Sequence, residues 1–448
     1  MSTPTPTPTL SVSSILSALS YALDLTEGHP RGHSARTCLI GMAIGQVVGL
    51  PAQDHQDLLY ALLLKDAGCS SNASRMYQVF GGDDQAAKRG AWERDWRTVG
   101  GQASYALKFA EPGGSLGARL KKLVSLATGG RALGRSIYQI RCDRGAEIAH
   151  ALGFSRATAE AIRSMDEHWD GGGYPEGLKG PAIPMLARIV GVAQVAEIFA
   201  ERDGPEAALA VVRGRRGRWF DPDLVTAFGD VAADAALWER VASNELDREV
   251  SAVEPQVMQF AVDEERLDQI AAAFAWVVDA KSPFTYHHSE RVAAFATSMA
   301  EYFALSKGEC VRIKRAGLLH DIGKLAVPNR ILDKPGRLTA AEWEIVRLHP
   351  YYSYQILERV PVFGEFAFDA SAHHERMDGR GYYRNLRGDQ LSLCARILAT
   401  ADKVDALSAD RPYRAGMTPD RVFGILSEDV GFDLCADCVT AAKAVSGM

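Results

Sequence analysis

The feature that most constrains this chain is a long-range repeat within its own sequence. Gly32-His33-Ser34-Ala35-Arg36 resembles His287-His288-Ser289-Glu290-Arg291, and Leu63 through Gly68 resembles Leu318 through Gly323, with 33 residues from His33 to Asp66 and again from His288 to Asp321. Asp170-Gly171-Gly172-Gly173-Tyr174-Pro175 echoes Asp378-Gly379-Arg380-Gly381-Tyr382-Tyr383, and each run reaches an Ala-Arg-Ile eighteen residues after its aspartate, at Arg188 and Arg396. The intervals agree once more from Pro205 to Asp223 and from Pro419 to Asp437. So many shared spacings imply two copies of one domain, as a length of 448 residues also suggests. The offset between copies is 255 early and 208 at the Gly-rich run, so the first copy carries 47 extra residues before that run, placed between Ser70 and Gly134.

Apolar residues recur three and four apart from Leu10 onward, broken by Gly- and Pro-containing turns, and alternating runs are scarce; the fold class expected is all-α, two tandem helical domains. The boundaries read as a disordered Thr-Pro tail over 1–9, a first domain over 10–240, a linker over 241–262 and a second domain over 263–448. Asp263 opens a predicted helix running to about Ala280. A net charge of -6 argues against a coat for polymeric nucleic acid or a polybasic membrane binder, and no apolar run approaches a membrane span. Seven scattered cysteines without a secretory signal fit reduced thiols and a cytoplasmic location; Cys435-x-x-Cys438 has no second pair beside it and reads as ordinary helix.

The chemistry concentrates in the second copy, where six of the eleven histidines lie between His287 and His374. His320 and Asp321 follow the apolar stretch Ala316, Leu318 and Leu319, so a charged pair turns inward and needs compensation. His288, His320, Asp321, His349, His373, His374 and Asp402 together exceed what one ion needs, and imidazole with carboxylate suits iron, manganese or zinc; two ions sharing a bridging group is the natural reading. Thr339 and Glu342 read as a capping box, placing His349 on the face of Ile345 and Val346. Asp402 follows Ile397 to Ala401 into the core; a salt bridge to Arg396 or Lys403 is the bland alternative.

These residues carry a resemblance. His288, His320-Asp321-Ile322-Gly323-Lys324, His349-Pro350, His373-His374-Glu375-Arg376, Asp378 to Tyr382, Asp402 to Leu407 and Asp410 to Arg414 resemble the HD-GYP branch of the HD phosphohydrolase superfamily. The resemblance implies two HD-type helical domains and a phosphodiesterase of cyclic dinucleotides, either cyclic di-GMP or 3′,3′-cyclic GMP-AMP; the alternatives are an HD-superfamily phosphohydrolase of another nucleotide and a non-catalytic scaffold responsive to cyclic dinucleotides. It also implies two divalent ions, with iron or manganese favoured, which acidify a water for in-line attack at phosphorus. Asp321 and Lys324 are then catalytic, and Lys324, Tyr382, Arg411 and Arg414 bind substrate; a homodimer is compatible with it. Two departures stand out: Tyr383 replaces the family proline, and Phe284 stands where members with a third metal carry a glutamate, favouring two metals. In the first copy the ligand positions become His33, Lys65, Asp66, Arg141, Met165, Asp166 and Gln194, so Lys65 and Arg141 place fixed cations where imidazoles would bind metal. That copy is expected to be metal-free and structural or regulatory. Its intact Gly173-Tyr174-Pro175 reads as retained loop geometry or, alternatively, a binding loop.

Overall fold

The computed structural model describes residues 11–93, 99–112, 115–255, 262–410 and 415–447. The Thr-Pro tail, residues 256–261 of the expected linker, and Arg411 and Arg414 lie outside them. The described residues form helices and short 3-10 turns, with only isolated β-bridges, so the chain is all-α. It divides into two compact units, residues 1–72 with 86–267 and residues 73–85 with 268–448.

In the second unit the helices start where the sequence supplies caps. Ser306 and Glu309 make a reciprocal capping box before Lys307–Leu319, and Thr339 and Glu342 make another before Ala340–Arg347, each pair satisfying N–H groups that the first turn cannot. Ser392 accepts from the Ala395 N–H at 3.0 Å to open Leu393–Ser408. His288–Tyr302 packs against both Lys307–Leu319 and Leu393–Ser408, burying Val292, Ala296, Ile313, Ala316, Leu398 and Ala401. The first of these crossings is close because Gly317 has no side chain: a Cβ there would lie 2.7 Å from Ala293 Cα.

The first unit repeats the plan. His33–Val47 and Ala52–Leu64 have the same lengths, 15 and 13 residues, as their counterparts His288–Tyr302 and Lys307–Leu319. A buried aspartate stands before each His-bearing helix: Asp24 accepts from the Ser34 N–H and hydroxyl, and Asp279 does the same for Ser289. The extra residues of the first copy form Ala73–Phe80, Asp84–Glu93, Val99–Phe109 and the first part of the 36-residue helix Leu116–Ala151. Residues 73–85 of that stretch pack within the second compact unit. Inside the expected linker, Leu246–Ala252 is a helix whose Val250 is buried and whose Asp247 accepts a hydrogen bond from Ser17 at 2.7 Å. The predicted helix after it spans Glu264–Asp279, with the Asp263 carboxylate capping the Arg266 N–H at 2.8 Å.

Candidate active site

Three helix ends build the site. His320 caps Lys307–Leu319, His349 follows Ala340–Arg347, and His373 lies just beyond Pro361–Ala370. In each case the imidazole Nδ1–H donates to the carbonyl three residues back: Gly317 at 2.7 Å, Val346 at 2.7 Å and Ala370 at 2.6 Å. The last carbonyls of a helix lack intrahelical donors, so each terminus supplies the acceptor that orients its own histidine. His349 therefore does not continue the face of Ile345 and Val346. The helix ends at Arg347 and a new one starts at His349, because Pro350 has no N–H for an ongoing ladder and fits the first turn of a helix.

With Nδ1 committed as donor, each Nε2 is aimed at the centre, and a ring without a proton there presents the lone pair a metal ligand needs. His349 Nε2 and His373 Nε2 stand 3.2 Å apart. Asp321 sits in the middle. Its Oδ2 faces His288 Nε2 at 3.4 Å and His320 Nε2 at 3.3 Å, while Oδ1 faces His349 Nε2 at 3.2 Å and His373 Nε2 at 3.6 Å. Asp402 joins both sides, Oδ1 lying 3.3 Å from His288 Nε2 and Oδ2 4.0 Å from His374 Nδ1. The salt-bridge alternative for Asp402 does not hold: Lys403 pairs with Asp429 at 2.8 Å, and Arg396 reaches Cys435 Sγ at 3.7 Å.

The donor set fits divalent cations. His288 Nε2, His320 Nε2 and Asp321 Oδ1 are buried without a hydrogen-bond partner, and the donor atoms of His288, His320 and Asp321, and of His349, His373 and His374, lie within 4.8 Å of one another in each group. Burial alone would lower the affinity of His288, His320, His349 and His374 for a proton. It carries His349 down to about 4 and, with the neighbouring His373, holds His374 well below the usual histidine range. His320 goes the other way, to about 9, because the Asp321 and Asp402 carboxylates outweigh the burial; His288 is also raised, by Asp321, Asp402 and Asp405. His288 and His320 are thus shifted toward the protonated form where His349 and His374 are shifted toward the neutral one. Asp321 and Asp402 are kept well below the usual carboxylate range, the histidines (and, for Asp321, Lys324) prevailing over burial.

Lys324 Nζ lies 2.5 Å from Asp321 Oδ2, at the rim of the cluster. Tyr382 packs on His374 with ring centres 4.5 Å apart, and the Arg347 guanidinium lies over the Tyr382 ring, 5.4 Å from its centre, donating also to the Gly381 carbonyl at 3.2 Å. Every expected metal and substrate residue that the structure describes is brought together here; Arg411 and Arg414 lie outside the described residues.

Three supporting residues lie within the matched motifs but carry no role that the sequence alone assigns. Asp405, one helical turn past Asp402, accepts the His288 Nδ1–H at 2.6 Å and binds Arg291 at 2.5 Å. Glu375 accepts the Arg384 and Leu386 N–H groups at 3.0 and 2.9 Å, which fixes the Tyr382 loop. Gly323 lets the His320-Asp321 turn approach the His349 segment, since a Cβ there would lie 2.0 Å from the His349 carbonyl oxygen. The repeat itself held the signal: Glu197 binds His33 and Arg36 as Asp405 binds His288 and Arg291, and Glu167 accepts from Glu176, Gly177 and Leu178 as Glu375 does in its loop.

In the first unit the same scaffold holds side-chain cations. Lys65 Nζ donates to His33 Nε2 at 3.0 Å and to Asp66, while Arg141 lies 3.7 Å from Asp66 Oδ1 and 3.6 Å from Asp166 Oδ2. Burial and the Lys65 charge hold His33 well below the usual histidine range, which keeps it neutral to accept that bond. Glu27, Asp66 and Cys69 also converge, but Lys88 already pairs with Glu27 at 3.1 Å. Tyr174 is buried, stacked on Tyr138 at 5.0 Å, and a Cβ on Gly134 would lie 3.0 Å from its hydroxyl. The buried ring gives that Gly-Tyr-Pro a packing role.

Comparison with known proteins gives a consistent result. A family model described as HD domain matches residues 131–224 and 273–434. The 3′3′-cGAMP-specific phosphodiesterase 3 of Vibrio cholerae is 41% identical over 439 residues, covering 97% of this chain and 94% of the relative. A cyclic di-GMP phosphodiesterase of Pseudomonas aeruginosa is 42% identical over 134 residues, 30% of this chain and 32% of its own. A crystal structure of a cyclic GMP-AMP-specific phosphodiesterase from V. cholerae superposes with a TM-score of 0.67 at 37% identity, covering 98% of each chain.

Proposed function

The chain belongs to the HD-GYP branch of the HD domain family, and from that membership we infer that it is a metal-dependent phosphodiesterase hydrolysing a cyclic dinucleotide. The observation that carries the site is the placement of Asp321, whose two carboxylate oxygens face two separate pairs of histidines. We propose that His288, His320, Asp321 and Asp402 hold one divalent ion and His349, His373, His374 and Asp321 a second, iron or manganese given the mixed imidazole and carboxylate donors. Bound there, the ions would supply an acidified water and positive charge for the phosphodiester.

The remaining work falls to the chain. Lys324, paired with Asp321 at 2.5 Å, can swing its ammonium to a non-bridging phosphate oxygen. Tyr382, held by Glu375 through its loop and backed by His374, offers a ring edge and hydroxyl to the substrate. Arg411 and Arg414 are assigned to the phosphates on the family resemblance. Of the two candidate substrates, the similarity over nearly the whole chain to a 3′3′-cGAMP-specific relative supports cyclic GMP-AMP. The first copy then serves a structural or regulatory role, and the free cysteines support a cytoplasmic enzyme. Among the described residues no helix is long and apolar enough to cross a membrane.

Cyclic di-GMP and 3′,3′-cyclic GMP-AMP offered together, with manganese or with iron under reducing conditions, test this reading. Consumption of the mixed dinucleotide first, with a linear dinucleotide or mononucleotides as product, is expected; failure to consume either one overturns it.

A further inference from the structure

The turn that carries Lys324 is held from outside the second copy's own sequence. After Asp321 the chain makes a 3-10 turn over Ile322–Ala326 and then the short helix Asn329–Leu332. Its start is fixed within the copy: the Gly323 N–H donates to the Ser353 hydroxyl at 2.9 Å, and that hydroxyl donates to the His320 carbonyl at 2.7 Å. Its far side is held by residues from the stretch that makes the first copy longer. The Gln85 carboxamide donates to the carbonyls of both Leu325 and Ala326 at 3.3 Å, directly after Lys324. Asp84, buried to 1% exposure, accepts the Asn329 N–H at 2.8 Å, and Asp83 lies 3.6 Å from the Arg330 guanidinium. These contacts belong to the second compact unit, which includes residues 73–85.

We propose that Asp84 and Gln85 are positioning residues for Lys324, so that the second copy's catalytic turn is complete only with this strap from the extra segment. The physical reason is local. A five-residue 3-10 turn has few internal hydrogen bonds, and Lys324 reaches the site from its middle, so freeing the Leu325 and Ala326 carbonyls lets the lysine backbone shift. The Asp321 ligand precedes the turn and is anchored through His320 and Ser353, so metal binding does not depend on the strap. The inference rests on the catalytic role given to Lys324 above.

The test is a double-mutant cycle in the full chain. Gln85→Ala is expected to lower kcat by about tenfold, the scale of a small misplacement of a catalytic group, with KM and bound metal little changed. In a Lys324→Ala background the same substitution should lower kcat by less than about twofold, because the group it positions is gone. Asp84→Ala should follow the same pattern, with Asp84→Asn, which keeps an acceptor, restoring most of the rate. Equal fractional losses in both backgrounds, or no loss in either, would show that the strap only adds stability and would overturn the proposal. Running the cycle also on bis(4-nitrophenyl) phosphate, a diester without bases, separates the two readings. If the wild type splits only that compound, the substrate assignment fails while the cycle still reports on the strap.

Discussion

At the residue scale the two copies solve one electrostatic problem in two ways. Each buries an aspartate, Asp66 or Asp321, beside a histidine whose outer nitrogen is held by a carboxylate, and such a group needs positive charge next to it. In the first copy the charge is covalent, from Lys65 and Arg141. Lys65→Ala should therefore destabilise the chain by about 3–5 kcal/mol, as expected for one partner removed from a buried pair, and denaturant unfolding measures it. In the second copy Asp321→Ala should abolish hydrolysis, a loss of at least about a thousandfold or roughly 4 kcal/mol, and empty the site in elemental analysis. The metal-free protein has a pH signature as well. His320 is raised to about 9 in the fold, so its stabilisation is fully present below its unfolded value near 6.5 and is lost as pH rises through about 9. The melting temperature of chelator-stripped protein should fall between pH 7 and 9.5, and added manganese should suppress the fall by taking the proton's place.

At the element scale, the candidate site is built from helix termini more than from helix faces. His320, His349 and His373 all sit where a helix stops, and their orientation comes from carbonyls left without donors. Periodicity located the helices and Thr339 with Glu342 marked a true start, yet a pattern of apolar spacings does not report the break that Pro350 introduces before His349. Glycine sets how closely these ends meet. Gly323→Ala forces a Cβ to 2.0 Å from the His349 oxygen, and Gly68→Ala forces one to 1.9 Å from the Arg141 oxygen. Both should lower stability by about 3 kcal/mol in thermal or denaturant unfolding, but only Gly323→Ala should also reduce bound metal.

At the scale of the whole molecule, duplication has kept the framework and let the ligands diverge. Asp24 and Asp279, Glu197 and Asp405, and Glu167 and Glu375 make equivalent bonds in the two units, whereas Met165 and Gln194 stand where His373 and Asp402 provide donors. Metal should accordingly be bound by the second copy alone. Lys65→His combined with Arg141→His should add no stoichiometric metal, and extra manganese per chain by elemental analysis would show that the first copy retains a usable site. The sequence by itself determined the all-α class, the duplication and the list of candidate ligands, because spacings that repeat across two copies survive without any knowledge of packing. Only the tertiary structure decided which nitrogen of each histidine faces the centre, that Asp321 stands between two histidine pairs, and that Asp84 and Gln85 brace the Lys324 turn. Those depend on where helices end and on contacts about 240 residues apart along the chain, which no local pattern encodes.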